Sequence, residues 1–402
     1  MTSRGVTDAW VGNELRIVTR SGIPFRLHAL FRESETYFSS PDIARMANET
    51  NYLYPLAPVR TAFDVLAAPF RFGGRFFGAL WNALAGERES LRIRAVGLWH
   101  LVVACHWAAT LRGQDVRLIH SQWIHSGGTV AMYGAWLLGV PFSFTGHAAD
   151  LFRNRAALRD KIRRAEFIVC ISEFHRRFFL DHGARPEQLF IAYCGLDTSH
   201  FSPRRRNRPE GEPFHILSSG RLVEKKGFDV LIRACELLRE RRFPFRCTIA
   251  GSGPLEADLR AQVRDAGLGD LVSITGEALK QEDIPAFMEQ GDIYCLHCVW
   301  AKDNDVDGLP QMLMEAMACG LPSVSTELVG IPDLCIHEQT GLLTQPGDAE
   351  GLADALMRLA QDPDLADRVA VAGRAHVLDT FDLGTCLEPL LDQYRKRLES
   401  RV

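Results

Sequence analysis

Residues 214–238 read F-H-I-L-S-S-G-R-L-V-E-K-K-G-F-D-V-L-I-R-A-C-E-L-L, and their apolar period changes part-way along. The opening F-H-I-L-S is a short apolar run of the kind that forms a buried strand. After the glycines, Phe228, Leu231, Ile232, Cys235 and Leu238 recur at three and four residues, which places one apolar stripe on a helix. Strand, loop and helix in that order make one parallel βα unit.

The alternation extends in both directions. Downstream it predicts strands at 246–250, 271–275, 292–296 and 322–326, and upstream at 116–120, 141–145, 166–172 and 189–193. Between the two series lies G-L-D-T-S-H-F-S-P-R-R-R-N-R-P-E-G-E-P, whose prolines, glycines and arginines read as a linker. The expected class is α/β with two Rossmann-like, doubly wound domains. Residues 1–200 form the first and 201–213 the linker. Residues 214–382 form the second, and a C-terminal helix over 383–402 is expected to return to the first.

A chain of 402 residues suits two domains. Hydrophobic residues make up 47% of it, yet no apolar run approaches the roughly 20 residues that span a bilayer, so a soluble or peripheral protein is expected. Residues 1–20 hold Asp8, Glu14 and Arg16 and no apolar centre, which argues against a signal or transit peptide and for a cytoplasmic location. Ten scattered cysteines suit a reducing compartment. Cys295 and Cys298 form the one close pair, without the second Cys or His pair that a structural zinc site needs, so no metal is expected there.

The net charge of −4 argues against a nucleic-acid partner. Residues 1–200 hold 23 Lys+Arg against 17 Asp+Glu, or +6, leaving −10 for the remainder. Such a basic half can face an anionic membrane or a phosphorylated acceptor, or be an ordinary charged surface.

In open parallel sheets, ligands bind at the carboxyl ends of the strands, so the following loops are the places to look. The loop after 214–218 contains Gly220, which lets the backbone turn, and Arg221 and Lys226, which can bring two positive charges to a diphosphate. An exposed basic turn fits the same letters, and the loop alone leaves both open. After 246–250 comes G-S-G-P, in which Gly251 and Gly253 permit close approach of a base or phosphate and Pro254 opens a helix. A plain strand-to-helix turn is the alternative.

The strongest element is N-D-V-D-G-L-P-Q-M-L-M-E-A-M-A-C-G-L-P-S-V, residues 304–324. Pro310 fits a first helical turn, so amides at Gly308, Leu309 and Gln311 and the positive helix end can face an anion. Glu315, further along, can accept from ribose hydroxyls. Asp307 precedes the helix, where an N-cap role would also suit it.

At this point the sequence resembles the family-4 glycosyltransferases of the GT-B fold, retaining enzymes that use nucleotide sugars. The likeness rests on G-R-L-V-E-K-K-G, on the acid-x7-Glu element from Asp307 to Glu315, and on F-T-G-H-A-A-D-L-F around His147, all within residues 115–385. It implies two Rossmann-like domains facing across a cleft. Arg221 and Lys226 would neutralise the departing diphosphate and Glu315 would hold the ribose. Asp307 would contact donor-sugar hydroxyls, and the amides after it phosphate or sugar. His147 would reach across the cleft to the same sugar.

Two cations on the diphosphate imply that neither metal nor cofactor is required. The implied partners are a nucleotide sugar and a saccharide or polyprenyl-linked acceptor at the inner membrane face, and exopolysaccharide synthesis is the expected context. Residues 69–84 interleave five aromatic residues with Arg71 and Arg75 as an interfacial segment does, with Gly73 and Gly74 weakening the helix. A buried helix is the alternative for this stretch. A same-fold epimerase or phosphorylase, or a non-catalytic nucleotide-sugar-binding subunit, would share the donor features.

Two departures stand out. Many relatives have Glu where this chain has Asp307, one methylene shorter. Relatives also commonly open with a strand, whereas D-A-W-V-G-N-E-L reads as the following helix. A start placed too far downstream or a chain lacking that strand would each account for it.

Overall fold

The computed structural model describes residues 1–6, 9–32, 41–147, 151–152, 155–203, 208–209 and 211–399. Asp8, the residues Ala148 to Asp150 after His147, and Arg204 to Asn207 with Glu210 of the linker lie outside them. The backbone divides into Met1–Cys194 with Cys386–Val402, and Gly195–Thr385.

In the first unit, β1 (His28–Ala29) and β2 (Asn51–Tyr52) form a parallel pair. A four-stranded parallel sheet follows in the order β3 (Ile119–Ser121), β4 (Phe142–Gly146), β5 (Ala165–Cys170), β6 (Leu189–Ile191). Every residue of β4 is buried, and its two polar side chains, Ser143 and Thr145, are paired with His120 at 2.9 and 3.1 Å. Helix Ser126–Leu138 packs on β3 and β4 and is itself almost wholly buried.

Met1 and Thr2 link the two sheets. The Met1 ammonium donates to the His120 carbonyl at 2.7 Å, and the Gln122 amide donates to the Met1 carbonyl at 2.9 Å. The Thr2 amide donates to the His28 carbonyl, and the Leu30 amide donates to the Thr2 carbonyl. Beside them opens a cavity of about 560 Å³ lined by Met1, Leu15, Val18, Ile23, His120 and Tyr394 among others. Burial lowers the Met1 ammonium to a pKa of about 5 and raises the nearby Glu14 carboxyl to about 7.

The second unit is a six-stranded parallel sheet made of β7 (Phe214–Ser219), β8 (Phe245–Ala250), β9 (Val272–Ile274), β10 (Ile293–Cys295), β11 (Ser323–Thr326) and β12 (Leu342–Thr344). Their order is β12-β11-β10-β7-β8-β9. All five members of the stripe that begins at Phe228 are buried along helix Phe228–Glu240. All nine strands expected from the sequence are present, with ends shifted by at most about three residues, the usual scatter of such boundaries. The short strands β1, β2 and β12 are additions. Both units are therefore Rossmann-like, as a doubly wound α/β chain requires.

Candidate functional site

Strand β7 has β8 on one side and β10 on the other, so the chain order reverses between β7 and β10. Loops leaving the carboxyl ends of two such strands part on opposite faces, and the crevice between them is where open parallel sheets bind ligands. The loop after β7 is Gly220 to Gly227, and the loop after β10 leads to helix Gln311–Ala318. They are tied together directly, because the Val299 amide donates to the Lys225 carbonyl at 3.0 Å. Gly227 permits this. Its φ is +61°, and a Cβ there would lie 1.9 Å from the His297 carbonyl oxygen.

Across this crevice Lys226 Nζ lies 2.5 Å from Asp307 Oδ2. Lys225 Nζ lies 3.0 Å from Asp307 Oδ1 and 3.3 Å from Asp305. Burial alone would raise the Asp307 carboxyl, but Lys226 and Lys225 outweigh it and hold the pKa down at about 2. Burial likewise opposes the Lys226 ammonium, yet Asp307 keeps its pKa above the ordinary lysine value. Both charges of the pair therefore persist at neutral pH. Arg221 is exposed at the mouth of the same loop and acts electrostatically on Lys226.

Glu315 lies on helix Gln311–Ala318 and is buried. Gln281 Nε2 donates to its Oε1 at 3.1 Å, while Oε2 has no hydrogen-bond partner among the described residues. Burial raises the carboxyl to a pKa of about 7, opposed by the Gln281 bond and by the Lys226 charge. An unpaired, buried carboxylate oxygen is costly and rare in a core, and it is an acceptor for a hydroxyl donor.

Three readings need correction here. Pro310 is not in the first helical turn. With ψ 116° it is extended and precedes Gln311, because the chain is still leaving the Gly308–Leu309 segment. Asp307 is not an N-cap, since its side chain is taken by the two lysines. Helix Glu256–Asp265 also begins two residues after Pro254.

Gly251 and Gly253 do allow a close approach, and the described group that makes it is protein backbone. A Cβ on Gly251 would lie 1.9 Å from the Gly220 carbonyl oxygen, and one on Gly253 would lie 2.6 Å from that of Leu222. The Gly220 amide donates to the Ala250 carbonyl at 3.0 Å, and the Leu222 amide to that of Ser252 at 2.9 Å. The glycines thus seat the basic loop against the end of β8. Gly308 is buried and its carbonyl accepts from the Gly330 amide at 3.0 Å, which fixes the turn that presents Leu309 and Gln311.

In the first unit His147 follows β4 and is buried. Its ring centroid lies 3.9 Å from that of Trp10 and 4.9 Å from that of Trp123. Nε2 has no partner among the described residues. Burial, helped by the nearby His175 and His125, lowers its pKa to about 3, so the imidazole is neutral.

Sequence reasoning missed Lys225, Asp305 and Gln281. Lys225 stands beside Lys226 in the quoted motif, and its role could have been suspected from the second acid two residues before Asp307. Gln281 had no visible signal. Cys295 is in β10 and Cys298 follows it, both buried, with the Cys298 thiol 3.9 Å from Asp307 Oδ2. No group of three or more His, Cys, Asp and Glu among the described residues is arranged to hold a metal.

Two family models match end to end, Glycosyltransferase Family 4 over residues 64–200 and Glycosyl transferases group 1 over residues 201–376. The D-inositol 3-phosphate glycosyltransferase of Pseudarthrobacter chlorophenolicus is 35% identical over 318 residues, covering 76% of this chain and 72% of its own length. The chain belongs to the family 4 glycosyltransferases. Amylovoran biosynthesis glycosyltransferase AmsK of Erwinia amylovora is 36% identical over 242 residues, and the alignment covers 59% of each chain. This glycosyltransferase thus spans little more than half of that relative. Among solved structures, Anabaena HepE in complex with UDP superposes with a TM-score of 0.69 at 17% identity, covering 99% of this chain and 98% of that one. The shared fold is GT-B.

Proposed function

We propose that this glycosyltransferase moves a hexose from a nucleotide-diphosphate sugar, with retention of configuration, to a saccharide or lipid-linked acceptor in exopolysaccharide assembly at the cytoplasmic side of the membrane. The observation behind it is the crevice at the β7/β10 switch point. There two lysines converge on Asp307, and the Glu315 carboxylate keeps one oxygen unpaired. The HepE complex with UDP and the amylovoran role in the AmsK name favour the donor and the context.

Each group then has a chemical task. Departure of the diphosphate concentrates negative charge on its oxygens, and Lys226 with Arg221 stabilises that charge. One well-placed donor of this kind typically contributes about 3 kcal/mol. The amides of Gly308 and Leu309 in the preceding loop, and of Gln311 at the positive end of its helix, face the same charge. Glu315 Oε2 accepts from the ribose, and Asp307 accepts from hydroxyls of the sugar. His147 donates or accepts one neutral hydrogen bond at the same sugar. The acceptor hydroxyl attacks from the face the diphosphate leaves.

Because the cations belong to the chain, the proposal needs no metal. The test is a mass-spectrometric screen of nucleotide sugars against soluble and polyprenyl-linked acceptors, run with and without EDTA. Transfer in both conditions is expected. Conversion of donor without acceptor would point to an epimerase, a requirement for free phosphate to a phosphorylase, and binding without turnover to a non-catalytic subunit. Activity abolished by EDTA and restored by magnesium would overturn the metal-free mechanism.

A further inference from the structure

Helices Pro58–Phe72 and Gly74–Ala85 pack on each other and on helix Leu91–Leu111, and both turn large apolar side chains outward. A surface helix ordinarily turns its apolar stripe inward. Here the inward face of the first helix holds Thr61, Asp64 and Ala68, with Asp64 bonded to Arg71 at 2.5 Å and to His106 at 2.9 Å. Its outward face holds Phe63, Leu66 and Phe70, exposed by 61%, 75% and 91%. Their spacing of three and four residues makes one continuous stripe.

The second helix is apolar on both its inward and its outward face. Phe76, Ala79 and Ala83 are buried, while Phe77, Trp81 and Leu84 are 58%, 70% and 49% exposed. The helices part at Gly73, whose φ of +54° ends the first. Six large apolar side chains on two contiguous helices exceed the scattered exposure normal for a soluble surface.

The charges beside this face select its partner. Arg60, Arg75 and Arg92 are exposed. Asp64 is the only acid in residues 58–85, and it points inward. Beyond the second helix, Glu87 is taken by Arg159 and Arg163, and Glu89 accepts from the Ala157 and Leu158 amides. A second copy of this face would set guanidinium against guanidinium with no carboxylate between. A sheet of phosphate headgroups over acyl chains answers both the arginines and the aromatic residues.

Length fixes the mode of contact. Helices of 15 and 12 residues reach about 22 and 18 Å, short of the roughly 30 Å hydrocarbon core. No helix among the described residues is long and apolar enough to cross a membrane. We infer that the outward faces of Pro58–Phe72 and Gly74–Ala85 form an interfacial plate that lies on an anionic lipid surface, with the aromatic side chains in the headgroup boundary and the arginines on lipid phosphates. The plate is distinct from the donor crevice, so its success or failure is read from partitioning and leaves the transfer reading untouched.

The test is co-sedimentation of the full chain with phosphatidylglycerol/phosphatidylethanolamine vesicles and with phosphatidylcholine vesicles. The expected result is binding to the first, weaker by roughly tenfold or more on the second and falling as salt rises. Phe70→Glu/Trp81→Glu should lower anionic-vesicle binding by at least about tenfold with an unchanged melting temperature, since both side chains already face solvent. Arg60→Glu/Arg75→Glu should remove the preference for anionic lipid.

Should the glutamate pair destabilise the fold, Trp81→Phe serves instead. Brominated lipid should quench wild-type fluorescence more than that of the variant. Absence of binding to anionic vesicles overturns the inference, as does equal binding by a folded Phe70→Glu/Trp81→Glu variant. Concentration-dependent dimerisation that those substitutions abolish, without vesicle binding, would assign the face to a second copy.

Discussion

Lys226 Nζ stands 2.5 Å from one oxygen of Asp307 while Lys225 Nζ stands 3.0 Å from the other, so one partly buried carboxylate separates two ammonium groups adjacent in sequence. Without it, two like charges would share a half-enclosed crevice, and the cheapest relief would be to swing one lysine into solvent. Asp307 thus holds both cations in the crevice, where the proposed diphosphate would meet them. A shorter acid than the usual glutamate suits the task, because the carboxylate must stay between the lysines.

Lys226→Ala is therefore expected to lower turnover at saturating donor by roughly 100-fold or more. It also leaves Asp307 partly buried with only Lys225, and breaking such a pair costs about 3 kcal/mol or more. Lys226→Ala/Asp307→Ala should recover most of that stability in thermal or urea unfolding while remaining inactive. Near-normal turnover in the single variant would remove Lys226 from the leaving-group role.

Glu315 makes stability and nucleotide binding depend on pH in opposite ways. Its carboxyl titrates at about 7 when folded against a reference of 4.5. Between those values the folded chain keeps a proton that the unfolded chain has released. The resulting stabilisation is complete below about 4.5 and is lost as pH rises through about 7, with a full span of about 3 kcal/mol. Glu14, also at about 7, contributes in the same window. Glu315→Gln should thus gain stability over wild type between pH 5 and pH 8, as urea unfolding at each pH would record. The ionised carboxylate is the stronger acceptor for a ribose hydroxyl. Nucleotide affinity should rise from pH 6 to pH 8 with proton release in calorimetry, and Glu315→Gln should abolish that release.

His147 is expected to act without changing charge, since burial holds its pKa near 3. Its resonances should show no protonation between pH 5 and pH 8. Loss of one neutral hydrogen bond costs about 1 kcal/mol, so His147→Ala should lower kcat/KM roughly fivefold without moving the limbs of the pH profile. The ring also fills the space between Trp10 and Trp123, and its removal should cost about 2 kcal/mol of stability. A shifted acidic limb in the variant would contradict the neutral role.

How much of this was legible in the sequence depends on whether a feature is local. The stripe from Phe228 to Leu238 and the nine expected strands follow from side-chain period, and all are present. Strands β1 and β2 have two residues each, too short to display any period. The segment 69–84 was ambiguous because periodicity marks an apolar face without saying whether it turns inward. Lys226 and Glu315 were visible within motifs, but the Lys225 contact to Asp305 joins residues 80 apart and exists only once β7 and β10 are neighbours. The glycines after β8 were legible as places of close approach. What approaches them depends on a loop whose position the local sequence does not encode.

That last point leads to a test of how the basic loop is held. At Gly251 an added methyl would meet the Gly220 carbonyl oxygen at 1.9 Å, and neither backbone has a flexible end that can yield. Gly251→Ala must therefore displace the loop from the end of β8, stretching the Gly220-to-Ala250 and Leu222-to-Ser252 hydrogen bonds. Overpacking of this kind costs roughly 1–3 kcal/mol, measurable as a lower melting temperature. Because Lys226 rides on the same loop, its distance to Asp307 must change too. Donor KM and kcat should both worsen, whereas Gly269→Ala, with nothing within 4 Å of the added methyl and no left-handed φ, should leave both unchanged. If Gly251→Ala lost stability yet kept wild-type kinetics, the loop would be anchored from the Asp307 side alone, and the glycines after β8 would matter for folding and not for the donor site.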